Sequence, residues 1–91
     1  MRRDHPDYVR ARAICKKIGY EFPLQYSEAE LFYKVIERAI LDLVEKKYRQ
    51  EALEYLFQPE IPEAERCGVD SVWIQDKILQ SGLVSKEESN E

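Results

Sequence analysis

Ser27 to Lys46, with the sequence SEAELFYKVIERAILDLVEK, is the stretch that decides the fold. Its apolar residues recur at i, i+3, i+4, i+7, i+8 and i+11, which is the spacing of one face of an α-helix. That face comprises Phe32, Val35, Ile36, Ala39, Ile40 and Leu43. Charged residues fall mostly on the opposite side, so the pattern predicts one long amphipathic helix. Further apolar residues widen the face and predict packing on more than one side: Leu31, Tyr33, Leu41 and Val44.

The start of this helix carries two capping signals. Ser27 is a favourable N-cap residue, and Glu30 three residues later completes the capping-box pattern. Tyr26 before the cap and Leu31 after it are placed to form a hydrophobic staple. The sequence therefore predicts a helix that starts at Ser27 and forms the central element of a small helical domain.

Composition limits the class of protein. A chain of 91 residues corresponds to one domain, and its 44% hydrophobic residues are enough for a core. No apolar run approaches the ~20 residues that span a bilayer, and the N-terminus lacks the apolar segment of a secretory signal. We therefore expect a cytoplasmic protein without membrane contact. In that compartment Cys15 and Cys67, which match no metal-binding spacing, are expected to be buried thiols rather than a disulfide.

The charge is distributed unevenly along the chain. Residues 1–19 contain six basic and two acidic residues, a net charge of +4. Residues 20–91 contain eight basic and sixteen acidic residues, a net charge of −8. A basic N-terminal helix on an acidic protein can contact a polyanion on one side. The same residues also fit a helix surface that is merely solvated.

The chain before the central helix predicts a first helix and a connector. His5 to Ile18 is expected to be helical, with Asp4 as its cap and Gly19 directly after it. Its expected buried stripe is Val9, Ala13 or Ala11, Ile14, Cys15 and Ile18. Tyr20 to Tyr26 is predicted as an extended connector whose aromatic and apolar side chains pack on the core.

The apolar pattern loses its phase just after the central helix. No Gly or Pro breaks the chain there, but the change of phase predicts a kink or short turn near residues 46–49. A helix is then expected from about Gln50 to Phe57. Pro59 disfavours helical geometry in the residue before it, so this helix is expected to end there.

Two more helices are predicted in the C-terminal part. A short helix begins with Pro62 in its first turn and ends at Cys67, with Gly68 as the glycine after its C-cap. The last helix is capped by Asp70 or Ser71, runs to about Gln80 and stops at Gly82. The expected buried residues here are Val69, Ile74, Ile78 and Leu83. The fold class is thus all-α, with four or five helices in one domain over residues 1–84 and a disordered acidic tail over residues 85–91.

Residues 62–79 have the outline of a helix-turn-helix. That motif requires a small residue where the helices cross, a residue tolerant of positive φ in the turn, and apolar anchors after it. These requirements are met by Ala64, Gly68, Val69 and Ile74. The pattern departs from the motif at Glu63 and Lys77, where apolar residues are expected. A second interpretation is that the two helices only close the helical core.

If the motif docks on DNA, the exposed face of its second helix presents Ser71, Val72, Gln75 and Asp76, with Gln80 as a further candidate. Residues 60–84 contain five acidic and two basic residues, whereas phosphate contacts require positive charge. We therefore expect those contacts from the first helix through Arg10, Arg12 and Lys16, from Lys46, Lys47 and Arg49, or from a partner in a homodimer.

Trp73 has two interpretations. An exposed Trp is typical of a partner-binding anchor, whereas a lone Trp in a small helical domain is often part of the core. The sequence has no phosphate-binding glycine loop, metal-ligand cluster or nucleophilic triad, and we expect a protein that is not an enzyme and has no cofactor.

The run from Leu31 to Leu79 contains four short motifs in order: Ala39-Ile40, Arg49 with Glu51-Ala52, Leu56-Phe57 and Cys67-Gly68-Val69. In this pattern it resembles small bacteriophage and prophage proteins of unknown function. The resemblance implies a phage origin and a C-terminal segment that is helix-turn-helix-like.

The leading hypothesis is a small regulator that contacts DNA or a transcription complex of the host. The alternative is an inhibitor or adaptor that binds a host protein without contacting DNA. DNA contact weakens steeply with added salt, and a hydrophobic interface centred on Trp73 does not.

Overall fold

The computed structural model describes residues 6–23, 25–85 and 87. Within these ranges the chain forms five α-helices and no strand, which confirms the all-α prediction. The helices are α1 (Pro6–Gly19), α2 (Ser27–Asp42), α3 (Arg49–Leu56), α4 (Pro62–Arg66) and α5 (Ser71–Ser81). None of these helices is both long and apolar enough to cross a lipid bilayer.

Helix α2 is the central element, because it packs against α1, α3 and α4. Ile36 and Ile40 are fully buried on it, and Leu43 at its C-cap is 1% exposed. The buried face is narrower than the sequence predicts, since Val35 is 46% and Leu31 65% exposed. The inner part of the apolar stripe therefore forms the core, and its edge faces outward.

The ends of α2 differ from the predicted ones. Its N-cap residue is Tyr26, which makes no side-chain capping bond, so the capping box predicted from Ser27 does not form. Tyr26 and Leu31, the expected staple, are both exposed. At the other end the backbone tightens to i→i−3 bonds, with Val44 N–H donating to Leu41 O at 3.1 Å. The helix therefore ends at Asp42 rather than at Lys46.

Helix α1 buries Ala11, Ile14, Cys15 and Ile18. The predicted alternative Ala11 is the buried one, whereas Ala13 is exposed and Val9 is 57% exposed. Gly19 is the last helical residue, and a Cβ there would lie 3.3 Å from the Tyr33 ring. The hydroxyl of Tyr33 donates to the carbonyl of Cys15 at 2.8 Å, which fixes α1 to α2. The predicted cap Asp4 and helix start His5 lie outside the described residues.

The connector after α1 is mostly turns. Phe22 is buried as predicted and packs against Tyr33 with the rings tilted by 57° and their centroids 5.6 Å apart. Tyr20 and Tyr26 are 81% and 63% exposed, so the expected run of packed side chains is wrong at both. Leu24 lies outside the described residues.

The turn between α4 and α5 has the predicted geometry at Gly68, whose φ is +75°. Gly68 N–H donates to Glu65 O at 3.1 Å, and Val69 N–H donates to Ala64 O at 2.9 Å. These two bonds form a Schellman motif, which a residue in the left-handed region permits. Ala64, Val69 and Ile74 are buried, as expected for two helices that cross there.

Helix α5 begins and ends as the sequence predicts. Asp70 is its N-cap and accepts a bond from Val72 N–H at 2.9 Å. Gly82, with φ +87°, ends it. Leu83 and Val84 beyond it are 5% and 2% exposed, so the chain stays packed on the domain after the end of α5. Most of the predicted acidic tail lies outside the described residues.

Replacing Gly68 by Val is expected to lower the free energy of unfolding by about 1 kcal/mol or more, because a β-branched residue rarely adopts positive φ. A Cβ at this position would meet no heavy atom within 4 Å, so the cost is conformational rather than steric. Urea denaturation measures it, with Gly68→Asn as a control that tolerates the left-handed region and is expected to lose less. Equal stability of the Val variant and the wild type would contradict the turn geometry.

Candidate functional site

The outward-facing residues of α5 differ from the predicted set. Val72, Asp76 and Gln80 are exposed and recur at i, i+4 and i+8. We call these three residues, together with the adjoining Trp73, the α5 outer face. The inner side of the helix contains Ser71, Ile74 and Ile78, which are buried. Of the four predicted DNA-contacting residues on α5, only Val72 and Asp76 therefore face solvent.

Ser71 is inward, so its prediction as an exposed DNA contact is wrong. Its side chain is 1% exposed. The hydroxyl accepts a bond from Ile61 N–H at 2.9 Å and donates to Glu65 Oε2 at 2.7 Å. Ile61 is the N-cap of α4, whose side chain makes no capping bond. Ser71 thus provides hydrogen bonds at the start of α4 that the local sequence does not supply.

The Gln75 side chain also hydrogen-bonds within the protein. Its Nε2 amide donates to the carbonyl of Leu56 at 3.0 Å and to that of Gln58 at 2.8 Å. Leu56 is the last residue of α3, where backbone acceptors lack partners in the helix, and Gln58 directly follows the C-cap of α3. The side chain is half-buried between α5 and α3, so its predicted place on an exposed recognition face is wrong.

Trp73 is half-buried and borders a surface pocket of about 330 Å³. The other residues that line this pocket are Glu21, Gly68, Val69 and Asp70. The ammonium of Lys77 lies 5.6 Å from the centroid of the indole ring. Val72 beside Trp73 is 55% exposed. The arrangement combines an accessible indole, an exposed aliphatic side chain and two carboxylates.

The three predicted phosphate-contacting residues of α1 are exposed but do not form one group. Arg12 and Lys16, one turn apart, line a pocket of about 290 Å³ with Tyr33 and Glu37 of α2. Arg10 instead pairs with Asp7 at 2.9 Å. It lies on another side of α1, since six residues from Arg10 to Lys16 correspond to about 600° of helical rotation.

Lys17 is the basic residue of α1 that the structure places beside α5. It lines a small pocket of about 210 Å³ with Lys77, Gln80, Ile14 and Ser81. Lys17 is not among the phosphate-contacting residues predicted from the sequence. Its spacing of seven residues from Arg10 places both on the same side of α1.

Neither thiol suits nucleophilic chemistry. Burial, with a smaller contribution from Glu37, raises the pKa of Cys15 to about 12, so this thiol stays protonated at neutral pH. Burial and Glu28 also raise the pKa of Cys67. Both cysteines are free, in agreement with the prediction of no disulfide, although Cys67 is only partly buried. Within the described ranges no group of His, Cys, Asp and Glu is arranged to hold a metal ion.

Arg49 has a structural role that the sequence analysis missed. Its guanidinium donates to Leu43 O at 2.7 Å, just beyond the end of α2, and to Leu83 O at 2.8 Å. It therefore supports the turn after α2 and fixes the segment that follows α5. The expectation that Arg49 contributes phosphate contacts is wrong, because these bonds direct its guanidinium toward backbone carbonyls.

Tyr55 of α3 donates a hydrogen bond to the carboxylate of Glu63 on α4. Burial and this carboxylate raise the pKa of Tyr55. The raised pKa keeps the hydroxyl protonated and available as a donor. Glu63, which departs from the helix-turn-helix pattern, thus has a partner that joins α3 to α4.

Comparison with protein-family models, with curated proteins and with solved structures finds no significant match for this chain. The resemblance to phage proteins therefore stays a prediction, and the functional argument depends on the geometry of this molecule.

Proposed function

We propose that this domain is a non-catalytic adaptor or inhibitor that binds another protein through the α5 outer face. The observation that carries the proposal is the inward orientation of Ser71 and Gln75. Both side chains hydrogen-bond within the domain, so neither is free to contact a base edge. What remains outside is an aliphatic residue, an indole, a carboxylate and the Gln80 amide. This set has no positive charge and suits a protein surface better than a phosphate backbone.

The exposure of two neighbouring apolar side chains on α5 supports the same proposal. Val72 is 55% exposed beside an indole that is only half-buried. Trp is enriched among the residues that contribute most to protein–protein affinity, and a neighbouring aliphatic side chain helps to exclude water from it. Asp76 on the same face repels phosphate and is compatible with a basic patch on a partner.

The test is a pull-down from extract of the source cells after nuclease treatment, at low and at high salt. The wild type is expected to retain a protein partner in both conditions, and Val72→Glu is expected to lose it. Val9→Glu is the matched control, because Val9 on α1 is 57% exposed and the substitution is the same. Loss of all captured protein on nuclease treatment, or equal retention by both variants, would contradict the proposal.

DNA contact is a second candidate, in the role of a phage-encoded regulator that the sequence predicts. One observation favours it: α1 packs against α5, and Lys17 of α1 lines one pocket with Lys77 and Gln80 of α5. A basic helix and an exposed helix face are thus adjacent. Since the Gln75 amide is engaged internally, Gln75→Ala is expected to leave discrimination between base pairs unchanged.

If this candidate holds, replacing Arg10, Arg12 and Lys16 together by Ala weakens binding to all DNA sequences and flattens the salt slope by up to ~3 units. Fluorescence anisotropy with labelled duplex DNA measures both effects. The control triple variant replaces Lys34, Arg38 and Arg66 by Ala, which removes the same charge at exposed positions that are not among the expected phosphate contacts. No binding at low salt to the DNA upstream of the protein's own gene would exclude this candidate.

A further inference from the structure

The pocket beside Trp73 has the chemistry of a cation site. Its lining provides two carboxylates, Glu21 from the connector after α1 and Asp70 from the N-cap of α5, and one indole. The left-handed Gly68 contributes no side chain, and a Cβ there would enter open space. The pocket is therefore an open depression with negative charge along its wall.

We propose that this pocket accepts an arginine side chain of the partner protein. The inference rests on the proposed protein-binding function and names the group that the α5 outer face recognises. A planar guanidinium can stack on an indole and at the same time form hydrogen bonds to carboxylates, which a compact ammonium does less well. The volume of about 330 Å³ is sufficient for one long side chain.

The charges around the pocket determine whether it favours a cationic or an anionic ligand. The N-terminus of α5 carries about half a positive charge, which on its own favours an anion. Two full negative charges on Glu21 and Asp70 outweigh it, and Asp70 already accepts the Val72 N–H of that helix end. An anionic ligand would meet both carboxylates directly, so charge complementarity favours a cation.

Lys77 already places a cation near the Trp73 indole, and its charge competes with that of an incoming guanidinium. Its ammonium lies 5.6 Å from the indole centroid, within the range of a cation–π contact. An incoming guanidinium is repelled by this ammonium. Removing the lysine charge is therefore expected to strengthen the binding of a cation and to weaken the binding of an anion.

Trp73 is the only tryptophan of the chain, so intrinsic fluorescence reports directly on this pocket. The probe is N-acetyl-arginine methylamide, and the matched control is the citrulline analogue, which has nearly the same shape without the charge. We expect a saturable fluorescence change with the arginine compound and none with citrulline. An equal response to both compounds, or no response to either, overturns the inference.

Variants of Glu21 and Asp70 test whether these two carboxylates bind the arginine compound. Glu21→Gln combined with Asp70→Asn is expected to weaken binding by about tenfold for each carboxylate, since hydrogen bonds to charged groups are strong. Asn keeps the N-cap of α5. Glu51→Gln with Glu60→Gln removes the same charge at exposed positions elsewhere and is expected to change binding less than twofold. Lys77→Gln is expected to strengthen binding by about twofold or more.

Equal loss in both double variants would overturn the inference, because it would mean attraction by net charge alone. The outcomes also separate this inference from the proposed function. A partner that depends on Val72, together with no response to the arginine compound, overturns the inference alone. A response to the arginine compound without a partner that depends on Val72 overturns the proposed function alone.

Discussion

Replacing Ile36 by Asp is expected to unfold the domain. Ile36 is fully buried on α2, the helix that contacts three others. The substitution removes an aliphatic side chain from the core and places there a carboxylate without a partner, a combined cost of several kcal/mol, or about the whole stability of a small domain. Ile40→Asp is also expected to unfold the domain, because Ile40 is fully buried as well.

Circular dichroism at 222 nm during thermal denaturation measures this effect. The matched control is Val35→Asp, on the same helix and one residue away, because Val35 is 46% exposed. The control variant is expected to melt cooperatively near the wild type. A cooperative melt of Ile36→Asp at the wild-type temperature would show that the buried face of α2 is placed incorrectly.

Replacing Arg49 by Met is expected to lower the free energy of unfolding by about 3 kcal/mol, since hydrogen bonds from a charged donor contribute about 1.5–3 kcal/mol each and are not fully additive. Met keeps much of the length of the side chain but leaves the carbonyls of Leu43 and Leu83 without the guanidinium. The turn after α2 and the segment after α5 lose their common link. The free energy of unfolding of Arg49→Lys is expected to lie between those of the Met variant and the wild type, because an ammonium cannot reproduce the fork of donors of a guanidinium.

The control for this substitution is Arg38→Met. Arg38 pairs with Asp42 at 3.4 Å, but its side chain is 79% exposed, so its removal is expected to change stability by less than about 0.5 kcal/mol. Urea denaturation of the two variants measures the difference. Equal losses would contradict the structural role of the Arg49 guanidinium.

The helices were predictable because their signals are local. Apolar periodicity predicted α2, Gly68 and Gly82 predicted the left-handed ends of α4 and α5, and Asp70 was one of the two caps expected for α5. The end of α2 was not predictable in the same way. Arg49 donates to the Leu43 carbonyl just beyond that end, and its second bond reaches Leu83, 34 residues away in sequence.

The candidate site was predictable only in part, for a related reason. Helical spacing alone allows several faces of α5 to point outward. Packing against α1, together with hydrogen bonds of Ser71 and Gln75 to the start of α4 and the end of α3, selects one. Ser71 is a polar residue at a helix start and suggests an exposed position, yet its hydroxyl lies inward and accepts a bond from the N–H of Ile61, the N-cap of α4. The Gln75 amide likewise points inward, because it donates to the carbonyl of Leu56 at the end of α3. These partners lie in other elements, and no spacing within residues 71–80 indicates them.

The orientation of α5 is the central claim, and the stability of Ser71→Ala tests it most directly. The claim predicts that this variant loses about 1–3 kcal/mol of unfolding free energy, because the buried Ile61 N–H loses its acceptor. Gln75→Ala is expected to lose about 1 kcal/mol, and the exposed Asp76→Ala to stay within about 0.5 kcal/mol of the wild type. If instead Ser71→Ala and Gln75→Ala are as stable as Asp76→Ala in urea denaturation, those side chains face solvent, and the claim is contradicted.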